Sequence, residues 1–253
     1  MWIFVAIILK RQLKSKWIPA CAGMTNEKIV TNNMSALTFT LKKNLASKLD
    51  FSQLTPDKLA GKSLKQILEI TLNKSIKVID LFDINGDNFE HIVFKNSTAQ
   101  LDYIGHNMTR GQITIEGDCG DFLGANMQGG SIICQGNVGD RVGDQMRRGL
   151  ILIDGNAGDY CGSRMVAGTI GVYGNVGKYA GFSMKRGTIL LNNKTNLHVT
   201  MQDCGTHNLP FLALLFQSFK ALPSRFNQLK NQRVQRFAGD LACNGNGEIL
   251  VLL

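Results

Sequence analysis

Between Gly105 and Gly187 the apolar and polar positions recur every 19 residues. The blocks read GQITIEGDCGDFLGANMQG, GSIICQGNVGDRVGDQMRR, GLILIDGNAGDYCGSRMVA and GTIGVYGNVGKYAGFSMKR. They open at Gly111, Gly130, Gly149 and Gly168, a fifth opening stands at Gly187, and half a block, Ile104 to Arg110, precedes the first. Apolar residues alternate within each opening: Ile113 with Ile115, Ile132 with Cys134, Ile151 with Ile153. Alternation of period two predicts short strands, and the glycines that follow predict tight corners. One block then reads as one coil, and the repeat predicts an all-β fold: a right-handed parallel β-helix, a single-stranded solenoid of about 19 residues per coil. Stacked coils would lie about 4.8 Å apart. The column Met108, Met127, Met146, Met165, Met184 would fill the interior, where an unbranched thioether adapts to irregular space.

Outside the repeat the runs are shorter. Leu37 to Leu41, Ile76 to Phe82 and Phe89 to Phe94 read as strands, with a turn at INGDN. Thr55 before Pro56 reads as a helix start with a capping hydroxyl, and Ser63 as the cap of a helix whose face is Leu64, Ile67 and Leu68. NNKTNLHVTMQD after Leu191 reads as one or two irregular final coils, and Pro210 opens a helix to Phe219. VQRFAGDL and GEILVLL read as two strands joined by a turn. The organisation expected is an extension over 1–33, a capping segment over 34–100, the solenoid over 101–200, and a C-terminal helix and strands over 201–253. The two flanking α/β segments would cap the ends of the solenoid, since open ends are pairing edges.

The first 33 residues change the picture little. Nine apolar residues are too few to span a bilayer, and the basic residues follow them rather than precede them. WIPACAGMT is similar to translated dispersed repeats of bacterial genomes, so the protein proper is expected to start at Met34. The formal charge is +9, and +5 from Met34 onward, which suits an acidic ligand or partner surface. The six cysteines form no C-x-x-C, and the four histidines are scattered, so no metal site is expected. GDCGDFLG and its counterparts open no helix and carry no GK[ST], which argues against a phosphate loop.

Two surface columns carry charge. Arg110, Arg148 and Arg186 close alternate blocks, Arg147 and Lys185 precede two of them, and Arg164 lies nearby. Together these six predict a basic stripe suited to a polyanion; a merely solvated basic face is the other reading. Asp121, Asp140 and Asp159 share a column with Lys178, and stacked carboxylates must be spread, hydrated or paired, with Arg141 and Asp144 as candidates for that pairing. Calcium between coils would need a G-G-x-G-x-D signature that is absent. Tyr160 and Tyr179 are read as packing, in a column with Phe122 and Val142. No nucleophile–base–orienter set assembles, so no catalytic residue is assigned.

The repeats, with LTPDKLAGKS (Leu54 to Ser63) and RFAGDLACNGNGEILV (Arg236 to Val251), resemble the GXGXG domain shared by the C subunit of formylmethanofuran dehydrogenase and the large subunit of glutamate synthase. The segment before Met34 points to the bacterial version, the C subunit of the formyltransferase/hydrolase complex. That resemblance implies a non-catalytic cytoplasmic scaffold beside the A, B and D subunits in tetrahydromethanopterin-linked one-carbon metabolism. The D subunit would carry formyl transfer to a methanofuran-type carrier, and the metal-bearing A subunit its hydrolysis to formate. It also implies an acidic polyglutamate tail on the carrier as the ligand of the basic stripe, with no other cofactor, nucleic acid or membrane partner. A glutamate-synthase-like adaptor and a stand-alone β-helix transferase are the alternatives.

Overall fold

The computed structural model describes residues 35–73, 76–193, 195, 197–230 and 232–253. The expectations for 1–33 lie outside them. Fifteen strands are described. The first seven are β1 (Ala36–Leu41), β2 (Leu49–Asp50), β3 (Thr71–Asn73), β4 (Ile76–Lys77), β5 (Phe82–Asn85), β6 (Asn88–Ser97) and β7 (Leu101–Asp102). The repeat supplies β8 (Gln112–Gly117), β9 (Ser131–Cys134), β10 (Leu150–Ile153), β11 (Thr169–Val172) and β12 (Thr188–Leu191). The C-terminal part adds β13 (Gln202–His207), β14 (Val234–Gly239) and β15 (Gly247–Leu252).

Eleven of these strands make one mixed sheet in the order β13-β14-β15-β12-β11-β10-β9-β8-β6-β1-β5. Pairing is parallel from β1 through β15 and antiparallel at both margins, where β5 joins β1 and where β14 joins β15 and β13. The expected right-handed parallel β-helix, with capping segments at its ends, is therefore corrected to a broad mixed sheet with a few helices. A solenoid needs further strands in each coil to build its other walls. Here most blocks contribute one four-residue strand, followed by turns and by the single-residue bridges Cys119–Val138–Ala157–Val176. The flanking segments also do not sit on the ends as lids: β1, β5 and β6 on one side, and β13, β14 and β15 on the other, extend the sheet itself.

The 19-residue register does hold. Ile113, Ile132, Ile151, Ile170 and Ile189 are direct partners across successive strands, and Ile249 of β15 continues the row. These side chains and all five methionines of the repeat are fully buried. The opening glycines are explained by that packing. A Cβ on Gly149 would lie 2.8 Å from the Met127 methyl and 2.8 Å from the Gly130 carbonyl oxygen, and φ there is +114°. Each thioether thus occupies the space that a side chain on a later block's glycine would need.

The other face of the repeat strands meets the C-terminal part. Leu152, Leu190 and Leu250 pack with Leu212, Phe216 and Phe219 of the helix Phe211–Phe219, and with Phe226. Gly171 interrupts that leucine row because Phe226 sits over it: a Cβ would come 2.8 Å from the ring. The buried Asp154 fastens the same segment by accepting from Ser224 Oγ at 2.6 Å and from the Arg225 N–H at 2.9 Å.

Local expectations fare unevenly. The helix Leu64–Leu68 has the Ser63 capping box with Gln66, although Leu64 is exposed rather than part of the buried face. The helix Pro56–Leu59 starts at Thr55, but Thr55 makes no side-chain cap; its buried hydroxyl has no partner. Ile76 to Phe82 is not one strand, because Val78–Leu81 turns helical between β4 and β5. The helix after Pro210 and the strands β14 and β15 lie where the pattern put them.

Candidate functional site

Each block ends in a turn in which alternate residues are left-handed. Asn107, Asn126, Gln145, Arg164 and Ser183 occupy one such column, with φ between 54° and 59°. Non-glycine residues pay strain for this conformation, so the repeated turn holds these side chains at fixed points along the register. Two positions further on come Arg147, Val166 and Lys185. Three successive turns bring Gln145, Arg164 and Ser183 together with Arg147, Val166 and Lys185 along one cleft, which Cys243 from the C-terminal part also lines. The cavity measures about 360 Å³.

The basic residues of the expected stripe therefore separate into two groups. Arg147, Arg164 and Lys185 line the cleft; Arg110, Arg148 and Arg186 do not. Arg110 instead pairs with Glu90 at 3.5 Å, both side chains exposed. Arg147 and Arg186 are exposed, with no ion pair to a described residue. Lys185 donates from Nζ to the Cys243 carbonyl at 3.1 Å, a neutral acceptor that leaves its charge unbalanced.

Arg164 is different. Its Nε donates to Asp144 Oδ1 at 3.0 Å and its Nη2 to Asp144 Oδ2. The hydrogen bond to Asp144 raises the guanidinium pKa; desolvation opposes it, and the carboxylate charge adds to the rise. Asp144 is 2 % exposed and also accepts from Ser163 Oγ at 2.6 Å. A buried carboxylate is costly unless its oxygens are occupied, and here both are.

The neighbouring columns correct two expectations. Asp121, Asp140 and Asp159 are not paired through Arg141 and Asp144. Asp121 and Asp140 each accept the backbone N–H of the next aspartate, at 2.9 and 2.8 Å, and Asp159 that of Lys178 at 2.7 Å. Lys48 also pairs with Asp121. Burial raises the Asp121 pKa, but the Lys48 hydrogen bond, the Asp140 N–H and the lysine charge together bring it below the ordinary value. Arg141, not Val142, shares the aromatic column; Val142 is buried in the core. The column is a ladder: Tyr103 stacks on Phe122 at 4.7 Å, Arg141 lies 4.8 Å from the Tyr160 ring, and Tyr160 stacks on Tyr179 at 5.0 Å. Rings packing on rings is as expected, with a cation as one rung.

Among the described residues, no group of three His, Cys, Asp or Glu stands together as a metal site. In the C-terminal part, Asp203 accepts from the Gln235 amide, and His207 lies 2.8 Å from the Cys204 carbonyl. No described helix is long and apolar enough to cross a membrane.

Gln145, Ser183, Asp144 and Cys243 were missed as parts of the site. The first two were findable, since they share Arg164's column at intervals of 19 residues. Cys243 had no signal, because only the tertiary return of the chain brings it to the cleft.

No family model matches the chain. Over 50 residues it is 50 % identical to the C subunit of tungsten-containing formylmethanofuran dehydrogenase 2 from Methanocaldococcus jannaschii, covering 19 % of this chain and 18 % of that protein. Over 86 residues it is 32 % identical to the C subunit of the formyltransferase/hydrolase complex Fhc from Methylorubrum extorquens, covering 33 % of this chain and 32 % of that one. These matches span about a third or less of the curated relatives. The structural comparison is wider: a chain in the crystal structure of the Methylorubrum extorquens formyltransferase/hydrolase complex FhcABCD with methylofuran aligns with a TM-score of 0.59 and 31 % identity, covering 85 % of this chain and 99 % of that chain. The chain belongs to the family of C subunits of these complexes. Family membership bears out the resemblance read from the sequence on its formylmethanofuran dehydrogenase and formyltransferase/hydrolase side.

Proposed function

We propose that this chain is a non-catalytic architectural subunit of a formyltransferase/hydrolase complex, holding the A, B and D subunits together in tetrahydromethanopterin-linked one-carbon metabolism. In such a complex a formyl group passes to a methanofuran-type carrier and is hydrolysed to formate. The observation that carries this reading is the alignment over 99 % of a chain in an assembled complex. The sheet supports it physically: in-register rows of buried isoleucine and methionine make a stiff platform on which partners can be fixed. Arg110, Arg147, Arg148, Arg164, Lys185 and Arg186 are the residues proposed to meet the carrier's acidic tail, a contact that would keep the formyl donor at high local concentration. A cytoplasmic place fits the five free thiols among the described cysteines.

The test is affinity capture of the tagged chain from native cells, with mass spectrometry of what accompanies it. A formyltransferase and an amidohydrolase-like protein in stoichiometric amounts are expected. Recovery alone, or with a glutamine amidotransferase or flavin protein, would refute the assignment.

A further inference from the structure

Large apolar side chains stand in the open at the trailing end of the repeat. Tyr179 and Phe182 come from its last turn, Val199 from the loop after β12, and Leu241 from the turn between β14 and β15. Val199 is 94 % exposed. His198 joins them, its ring 5.6 Å from Tyr179 and 6.2 Å from Phe182. One buried carboxylate ties the three segments together. Asp240 accepts from the Ser183 N–H at 3.0 Å, from the Ala242 N–H at 3.0 Å and from the Thr200 hydroxyl. Each of these donors directly follows an exposed apolar residue: Phe182, Leu241 and Val199. The Leu241 N–H also donates to the Thr200 carbonyl at 3.0 Å. Apolar groups held rigidly in water gain nothing for the fold, and rigid anchors of this kind are the centres of protein interfaces.

The same hub fixes a proton. Burial raises the Asp240 pKa, but the Thr200 hydroxyl, the Ser183 and Ala242 N–H groups and the charge that His198 can carry bring it below the ordinary value. The carboxylate is therefore ionised and only accepts. Thr200 has one hydroxyl proton and gives it to Asp240. Its oxygen, 2.8 Å from His198 Nδ1, must then accept from that nitrogen. The neutral imidazole keeps its proton on Nδ1 and shows a bare lone pair at Nε2, which has no hydrogen-bond partner among the described residues.

We propose that this patch is a docking surface for another protein subunit, which seats a tryptophan or tyrosine ring against Phe182 and Val199 and donates its N–H or O–H to His198 Nε2. The patch selects that occupant by two properties, an apolar body and one donor at its tip. An aliphatic anchor would leave Nε2 buried without a partner, and a carboxylate would set two acceptors against each other. The proposal deepens the architectural role above and rests on it for the partner's identity, since the relative aligned over 99 % of its length belongs to an assembled complex.

The test places a photoactivatable benzoylphenylalanine at Val199 in cells that make the whole complex, and at Leu64, exposed in the N-terminal part, as a control. Irradiation should join Val199 to a tryptophan- or tyrosine-containing peptide of a formyltransferase or amidohydrolase-like subunit. In the purified complex, retention of that subunit on dilution is then followed by native mass spectrometry. His198→Phe keeps a ring and removes the acceptor, and should raise the apparent Kd by about tenfold. Val199→Asp should raise it by at least about tenfold, and Leu64→Asp should leave it within about twofold. A cross-link to a second copy of this chain, no cross-link, an unchanged Kd in His198→Phe, or an equal loss from Leu64→Asp would each overturn the proposal. A stoichiometric Val199 cross-link to some other protein, abolished by His198→Phe, keeps the docking surface and removes the one-carbon assignment instead.

Discussion

Gly149→Ala tests the packing on which the sheet depends. The new methyl meets two obstacles at 2.8 Å, the Met127 methyl and the Gly130 carbonyl oxygen. They differ in how readily they give way. The thioether end can swing to another rotamer, whereas the carbonyl accepts the Leu150 N–H at 3.1 Å and belongs to the parallel ladder. The backbone must also hold φ at +114°, a conformation that alanine adopts at a cost of about 1–3 kcal/mol. Overpacking against the carbonyl adds about 1–3 kcal/mol. The variant should therefore lose about 2–6 kcal/mol, a large share of a typical domain's stability. Met127→Ala alone should cost about 2–4 kcal/mol through the cavity it leaves. The double variant separates the two obstacles. If the backbone dominates, removing the thioether should recover only about 1 kcal/mol of the Gly149→Ala loss. Urea denaturation followed by circular dichroism measures all three. Full rescue by Met127→Ala, or a loss below about 1 kcal/mol for Gly149→Ala, would refute the reasoning.

Further outcomes follow from the same geometry. Asp144→Ala should cost about 2 kcal/mol, chiefly because the buried Ser163 hydroxyl loses its acceptor, while the half-exposed Arg164 is rehydrated; Arg164→Gln should cost under about 1 kcal/mol in the same denaturation assay. Gly171→Ala should push Phe226 off the sheet and cost about 1–3 kcal/mol, visible as faster proteolysis after residue 220. Burial lowers the His91 pKa, so stability is intact above the unfolded value near 6.5 and falls as pH drops through it toward the folded value; a pH series of melting temperatures on His91→Gln should show a shallower slope. Burial pushes the Cys134 and Cys161 thiols up to about 12 and raises the Cys119 thiol well above its ordinary value, so among the described cysteines iodoacetamide at pH 8 should modify Cys204 and Cys243 and spare those three.

The legible part of this protein is what repeats. An interval of 19 residues with alternating isoleucines leaves one way to stack without exposing the apolar row, so the register and the buried methionines could be read in advance, whereas the ring column was read with Val142 in the place that Arg141 takes. Strand pairing at the margins could not, because β1 joins β6 and β12 joins β15 across long stretches of intervening chain. Local pattern also failed at Val78–Leu81, where β-branched residues suggested a strand but the chain needed a helical turn to redirect it from β4 to β5.

By itself, the sequence determined the repeat, its in-register rows and the presence of basic residues near the ends of blocks, because these depend on side-chain period and composition alone. Only the tertiary structure decided that the repeats lie within one mixed sheet, and that three of the six basic residues share a cleft. Both outcomes depend on where the C-terminal segment returns. Its strands extend the sheet, its Phe226 covers Gly171, and its Cys243 lines the cleft with Lys185. Such long-range closures are set by the sum of many packing contacts, and no short stretch of sequence records that sum.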